Sequence, residues 1–219
     1  MHQRFRRDYD GEFVIADTVI SGNATSQKRE WVPNAVENHH LSGRAAAIAT
    51  RADSNFFKHQ RLARHRGGLL GQKRLQTYGT GDMWQDMRFD FFVSTQTDQL
   101  LKIDQNQYFQ DTTVYTNARN CLAYPGHYYL VPYLPNVNEI TLPVYLAAFD
   151  GHSEVFMLGY NAHVDVGDPG WILDVNKIFQ VYSTTRFFLV TRQNIPDVWL
   201  DNTNVKVMDY RQFITYCDI

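Results

Sequence analysis

Cysteine is scarce in this chain. There are two among 219 residues, Cys121 and Cys217, without metal-ligand spacing and too few for a disulfide framework. A reducing cytosol is therefore the expected compartment. Also missing is any apolar run of the length needed to cross a bilayer, so no membrane partner is expected. Low-complexity tracts, internal repeats and linkers rich in Pro, Gly or Ser are absent, which favours one domain over residues 1–219. The basic opening "MHQRFRRDYDGEF" leads into an apolar run broken by Asp17, which lacks the form of a signal-peptide core. No Gly-Lys-Ser/Thr occurs, which excludes a Walker loop, and the G-x-G-x-x-G dinucleotide fingerprint is absent as well.

What is present is the composition of a packed globular protein, 44% hydrophobic and 14% aromatic. The formal charge of −2 hides an asymmetry: residues 1–90 carry 14 Lys and Arg against 10 Asp and Glu, whereas residues 91–219 carry 7 against 13. The basic character is densest from Arg44 to Arg74, where Arg51, Lys58, Arg61, Arg64, Arg66 and Lys73 also lie and Asp53 is the one acid. Such a segment attracts phosphates of a nucleotide or a nucleic acid. Ser54 followed by "NFFKHQRLARHR" and two glycines predicts a basic amphipathic helix over about Asn55 to Arg66. Its Lys58, Arg61 and Arg64 are the candidate anion contacts.

Along the chain, short apolar runs read as strands: about Phe13 to Ile20, then "RLQTYG", "FDFFVST", "TTVYT", "HYYLVPY", "EVFMLGY", "RFFLVT" and "NVKVMD". "AAAIAT" fits strand or helix equally. "QKREWVPNAVENHHLSGR" reads as loop with at most a short helix. "TDQLLKI", "ITLPVYLAAFDG", "WILDVNKIFQVY" and "YRQFITYC" carry helical patterns. Strands alternating with helices predict a Rossmann-like three-layer sandwich with a mainly parallel sheet of at least five strands.

In such a sheet ligands bind beyond the carboxyl ends of the strands, near a switch in strand order. Three loops qualify. "VISGNATS" offers Gly22 for close backbone approach, Asn23 for a base or sugar, and the hydroxyls of Thr25 and Ser26 for phosphate. Taken alone it reads as a plain strand-ending turn, and its recurrence with the two loops that follow is what favours a nucleotide site. "YGTGDMW" repeats the logic with Gly79, Thr80 and Gly81. "LGYNAH" delivers Gly159, Asn161 and His163 after a buried strand, and His163 has the chemistry of a general base near neutral pH. The three loops are expected to converge on one edge. His39, His40, His59 and His65 lack acidic or cysteine partners at ligand spacing, so no metal site is assigned to them. Asp165 and Asp168 suit either a cation beside a pyrophosphate or a Gly/Pro turn.

These pieces resemble the sialyltransferase-like and hydroxymethylpterin diphosphokinase-like Rossmann proteins, including relatives carried by marine tailed phages. "VISGNATS" is similar to their first strand and Gly-Asn-Gly-x-Ser loop, "LQTYGTGDMWQDMRFDFFVST" to their second strand and loop, and "LPVYLAAFDGHSEVFMLGYNAH" to their late helix and Leu-Gly-x-Asp strand end. The chain departs from the pattern at Ala24, where the family has Gly, and at Asn161, where it has Asp. The stretch from 28 to 71 has no counterpart and reads as a basic insertion. The resemblance implies a transferase of the glycosyltransferase type that binds a nucleotide or nucleotide sugar as substrate, with no tightly bound cofactor. The alternatives are a non-enzymatic anion or nucleic-acid-binding protein on the same scaffold and a viral structural or assembly protein; for a viral chain the expected cytosol is that of the host cell. Oligomeric state is not readable from the sequence.

Overall fold

A computed structural model describes residues 11–21, 24–33, 44–48, 75–85, 88–132, 137–164, 169–191 and 193–217. Among the described residues there are ten strands: β1 Gly11–Ser21, β2 Ala24–Pro33, β3 Arg44–Ile48, β4 Gln76–Gly79, β5 Phe91–Val93, β6 Thr113–Thr116, β7 Tyr129–Leu130, β8 Glu154–Leu158, β9 Arg186–Val190 and β10 Val205–Met208. The α-helices among them are α1 Thr97–Gln105, α2 Ala118–Ala123, α3 Leu142–Phe149, α4 Gly170–Val181, α5 Asp197–Leu200 and α6 Tyr210–Cys217.

Eight strands form one sheet in the order β10-β9-β8-β3-β4-β5-β6-β7, and every pairing in it is parallel. The chain starts at the centre with β3, winds outward through β4 to β7, then returns to the other side of β3 for β8 to β10. This is a doubly wound α/β sheet, the Rossmann-like architecture expected. Its strands are short because parallel strands covered on both faces need only a few apolar residues each.

Alternation along the strands divides the core. Phe91, Val93, Val155, Met157, Phe187 and Leu189 join α3, α4 and Trp199 of α5 on one face. Phe92, Phe156, Leu158, Phe188 and Val190 join Leu100 and Ile103 of α1 and Phe213 and Cys217 of α6 on the other. Successive residues point to opposite faces because the side-chain period of a strand is two, so each strand feeds both layers. Local chemistry sets the helix ends. Asp209 Oδ1 accepts from the Gln212 backbone N–H at 2.8 Å while Gln212 Oε1 accepts from the Asp209 N–H at 2.8 Å, a reciprocal capping box that starts α6. At the other end of a helix, Gly151 takes φ +82 just past α3 and stops it.

Three expectations are corrected. The run around Phe13 to Ile20 is a strand, but β1 pairs antiparallel with β2 in a separate two-stranded sheet and has no place in the parallel one. The segment read as loop after it supplies β2, which spans Ala24–Pro33. Ser21 pairs with Ala24, leaving only two positions between the strands. Two β runs separated by a Gly-Asn pair are a hairpin signal, and that local signal outranks the strand-then-loop reading. Finally, the stretch 28–71 is not an insertion over its whole length, because β3 within it pairs with both β4 and β8. The ambiguous "AAAIAT" thus contributes its first four residues to β3, inside the sheet between β4 and β8, where Ala45 is fully buried. The helix expected over Asn55 to Arg66 lies outside the described residues, as do His39, His40, His59, His65, Asp165 and Asp168. Helices α2 and α5, six and four residues long, escaped the sequence reading because neither is long enough to show a helical period.

Candidate functional site at the carboxyl edge of the sheet

Winding reverses at β3. The chain continues from β3 to β4 on one side, and β8 lies on the other, so the strand-order switch falls between β3 and β8. Connections that leave neighbouring strands in opposite directions open a crevice outside their carboxyl ends. Because β8, β3 and β4 are parallel neighbours, the loops after Gly79 and Leu158 share an edge, two strand spacings or about 10 Å apart. Of the three loops expected to converge, these two do. For the third no such placement follows, because β1 belongs to a separate hairpin and is no strand of this sheet. Thr25 and Ser26 lie within β2, opposite Ile20 and Val19, while Gly22 and Asn23 are outside the described residues. In addition, the chain leaves the carboxyl end of β3 directly into positions 49–74, which carry Lys58, Arg61 and Arg64 in sequence and also lie outside the described residues.

The loop after β4 is clamped. Thr80, 3% exposed, donates its hydroxyl to the Val93 carbonyl at 2.8 Å and lies 3.3 Å from Glu139 Oε1. Glu139 Oε2 accepts from the Thr95 backbone N–H at 2.9 Å and from its hydroxyl at 2.7 Å. One carboxylate therefore ties together the ends of β4 and β5 and the 3-10 turn Glu139–Thr141 that leads into α3. Next along the edge, Asn120 donates to the Thr95 carbonyl at 3.0 Å and to Thr116 Oγ1 at 3.1 Å, and its Oδ1 accepts from Thr97 at 3.0 Å. The edge is a connected polar network that holds its own loops in place. Thr80 serves this clamp with its single donor hydrogen, a different task from the phosphate contact expected of it. Gly79 is also explained internally: a Cβ there would meet the Phe89 ring at 2.6 Å. Gly81 adopts φ +65 and has open space where a side chain would begin, so its conformation, and not crowding, calls for glycine. Glu139, Thr95 and Asn120 went unnoticed in the sequence because 44 residues separate the first two, and no local pattern joins them.

After β8, Gly159 at φ +79 turns the chain into a 3-10 turn, Tyr160–His163. Tyr160 is buried and donates to the Ile140 carbonyl at 3.2 Å, anchoring that turn to the one carrying Glu139. Burial pushes the Tyr160 phenol far above its ordinary range, so it acts as a neutral donor. Asn161 Oδ1 is buried and accepts no hydrogen bond. A buried acceptor without a donor is costly, and this one sits on the turn beside the switch. His163 closes the same turn, two residues on. The Asn161 and His163 positions are therefore brought to the expected edge.

A second constellation has catalytic residue types but not catalytic access. Tyr78 donates to Asp150 Oδ2 at 2.5 Å, and its oxygen lies 3.0 Å from His152 Nε2. The three residues are 0%, 6% and 1% exposed. The group sits under α3 and joins the end of that helix to β4, which is a structural task. Cys121 is no nucleophile either, since burial pushes its thiol up to about 11. Among the described residues, no group of three His, Cys, Asp or Glu side chains is placed to hold a metal ion, and no helix is long and apolar enough to cross a membrane. Compared with known proteins, the chain matches no family model, no curated protein and no solved structure.

Proposed function

We propose that the chain binds a nucleotide or nucleotide sugar in the crevice between the carboxyl ends of β3 and β8 and transfers its glycosyl or phosphoryl group to an acceptor hydroxyl. The observation that carries this reading is the position of the strand-order switch, with the unpaired Asn161 Oδ1 on the turn next to it. In this reading Asn161 accepts from a ribose hydroxyl or a base amine, which removes the cost of its burial. The phosphates are drawn by the basic sequence that follows β3, with Lys58, Arg61 and Arg64 as the cationic contacts. His163 takes the proton of the acceptor hydroxyl as the new bond forms, and the nucleotide departs with the electron pair of the bond that breaks. Thr80 and Glu139 keep the β4 and β5 loops in register with the crevice and touch no reacting atom.

The test is calorimetric titration of the full chain with nucleoside monophosphates, nucleoside diphosphates and nucleotide sugars, alongside pyrophosphate and heparin. Saturable binding of particular nucleotides is expected, weakened about tenfold in Asn161→Ala with its unfolding temperature retained. His163→Ala is expected to lower turnover more than affinity. If no nucleotide binds, the reading fails. An equal response to every polyanion would instead favour the nucleic-acid-binding alternative through the basic segment.

A further inference from the structure

We propose that the opposite, amino-terminal edge of the sheet carries a second binding site, which takes a small flat organic cation rich in N–H donors, of the amidine, guanidine or amino-heterocycle class. A pocket of about 590 Å³ opens at this edge. Four of its lining residues each begin one of four neighbouring parallel strands: Gln76 starts β4, Phe91 starts β5, Thr113 starts β6 and Tyr129 starts β7. Its volume is that of pockets that enclose a ligand of nucleoside size. It does not depend on the crevice at the carboxyl edge, from which the length of the strands separates it.

The lining selects the sign of the ligand. Asp90 and Asp111 contribute carboxylates, and no Lys or Arg lines the pocket among the described residues. Asp90 is 9% exposed and fixed, since its Oδ2 accepts from the Thr77 N–H at 2.8 Å and the Thr77 hydroxyl at 2.9 Å. The one other ionisable lining group besides Tyr129, His127, is turned to a carboxylate of its own, with Nδ1 2.6 Å from Asp104 Oδ1. Among the described lining residues an anionic ligand would meet two carboxylates and no Lys or Arg, whereas a cation would be attracted.

The polar atoms select its hydrogen-bonding character. Gln76 Oε1 and Thr112 Oγ1 are buried and make no hydrogen bond. Thr112 is 4% exposed, with the Tyr108 phenol beside its hydroxyl. Both residues line the pocket. Buried acceptors left without donors are rare because they forfeit hydration, and a ligand bearing several N–H groups restores what is lost. The walls select shape. Phe109 stacks on the His127 ring with centroids 4.3 Å apart and planes 8° from parallel, which makes a flat surface in a pocket that Phe91 and Tyr129 also line. Aromatic faces attract cations, so the walls and the carboxylates favour the same ligand.

Benzamidine is the probe, with benzamide as its neutral isostere and benzoate as its anionic counterpart, each titrated into the full chain by calorimetry and by thermal unfolding. Benzamidine is expected to bind saturably, with benzamide weaker by about tenfold or more and benzoate not binding. Asp111 is exposed, so Asp111→Asn leaves the fold intact and is expected to weaken benzamidine about tenfold. Gln76→Leu removes an acceptor without removing charge, and is expected to weaken benzamidine and benzamide alike. Three results would overturn the proposal: no benzamidine binding up to about 10 mM, equal affinity for benzamide, or unchanged affinity in both variants.

Discussion

The Phe89 ring packs where the side chain of Gly79 would stand, at 2.6 Å from an added Cβ, so the last residue of β4 is a glycine for the sake of the core. Gly79→Ala is expected to cost about 1–3 kcal/mol through overpacking. Adding Phe89→Leu should return part of that loss, because the shorter side chain vacates the contact. Urea denaturation of the two variants and the double variant decides it, and additive losses would show that the ring does not set the requirement. Gly81 supplies the contrast: its φ of +65 predicts a cost of about 1–2 kcal/mol for alanine despite open space, and less for asparagine.

Glu139 holds two loops through one carboxylate. Replacing it with alanine frees the Thr95 N–H and hydroxyl and the Thr80 contact together, and a loss of about 1–2 kcal/mol is expected for this partly buried network. Amide exchange at Thr95 should quicken while exchange at Val93, inside the sheet, stays slow. Unchanged exchange at Thr95 would mean that the clamp is redundant.

Tyr78→Phe tests the buried Tyr78, Asp150 and His152 group. Deleting the phenol oxygen leaves Asp150, 6% exposed, without its 2.5 Å donor, and a loss of about 1–3 kcal/mol is expected. Nucleotide or benzamidine binding should persist in the folded variant. Loss of either without loss of stability would contradict a purely structural role.

Alkali should destabilise the protein before it ionises the folded tyrosines. Burial pushes Tyr108 and Tyr182 up to about 12, and Tyr128 and Tyr160 higher still, while Cys121 rises to about 11. Unfolded thiols and phenols release protons from about pH 9 and pH 10 upward, respectively. The folded groups keep theirs, so the unfolded state binds fewer protons and stability falls with rising pH across that window. Below about pH 8 these groups contribute no pH dependence. Denaturation at about pH 8, 9.5 and 11, followed by phenolate absorbance, should show these tyrosines ionising together with unfolding.

The sequence by itself determined the strands and the longer helices from "RLQTYG" onward, because apolar runs of strand length and helical periods are local patterns. It also determined that the elements alternate, and hence that the sheet is parallel and covered on both faces. Tertiary structure decided which strand stands at the centre. "VISGNATS" reads the same whether its strand enters a parallel sheet or folds back on the next run, and only pairing separates the two; the pairing of Ser21 with Ala24 made it a hairpin and left the central place to Ala45 and its neighbours. The same holds for the sites. Glycines at 79, 81 and 159 were legible as special positions, but whether each answers to a ring, a φ angle or a ligand depends on atoms distant in sequence. Thr80 meets Glu139 across 59 residues, and the acidic pocket gathers Gln76 and Tyr129 from strands that are not neighbours. Non-local contacts leave no period in the chain, so the edge on which each polar group stands was settled only when the strands took their order.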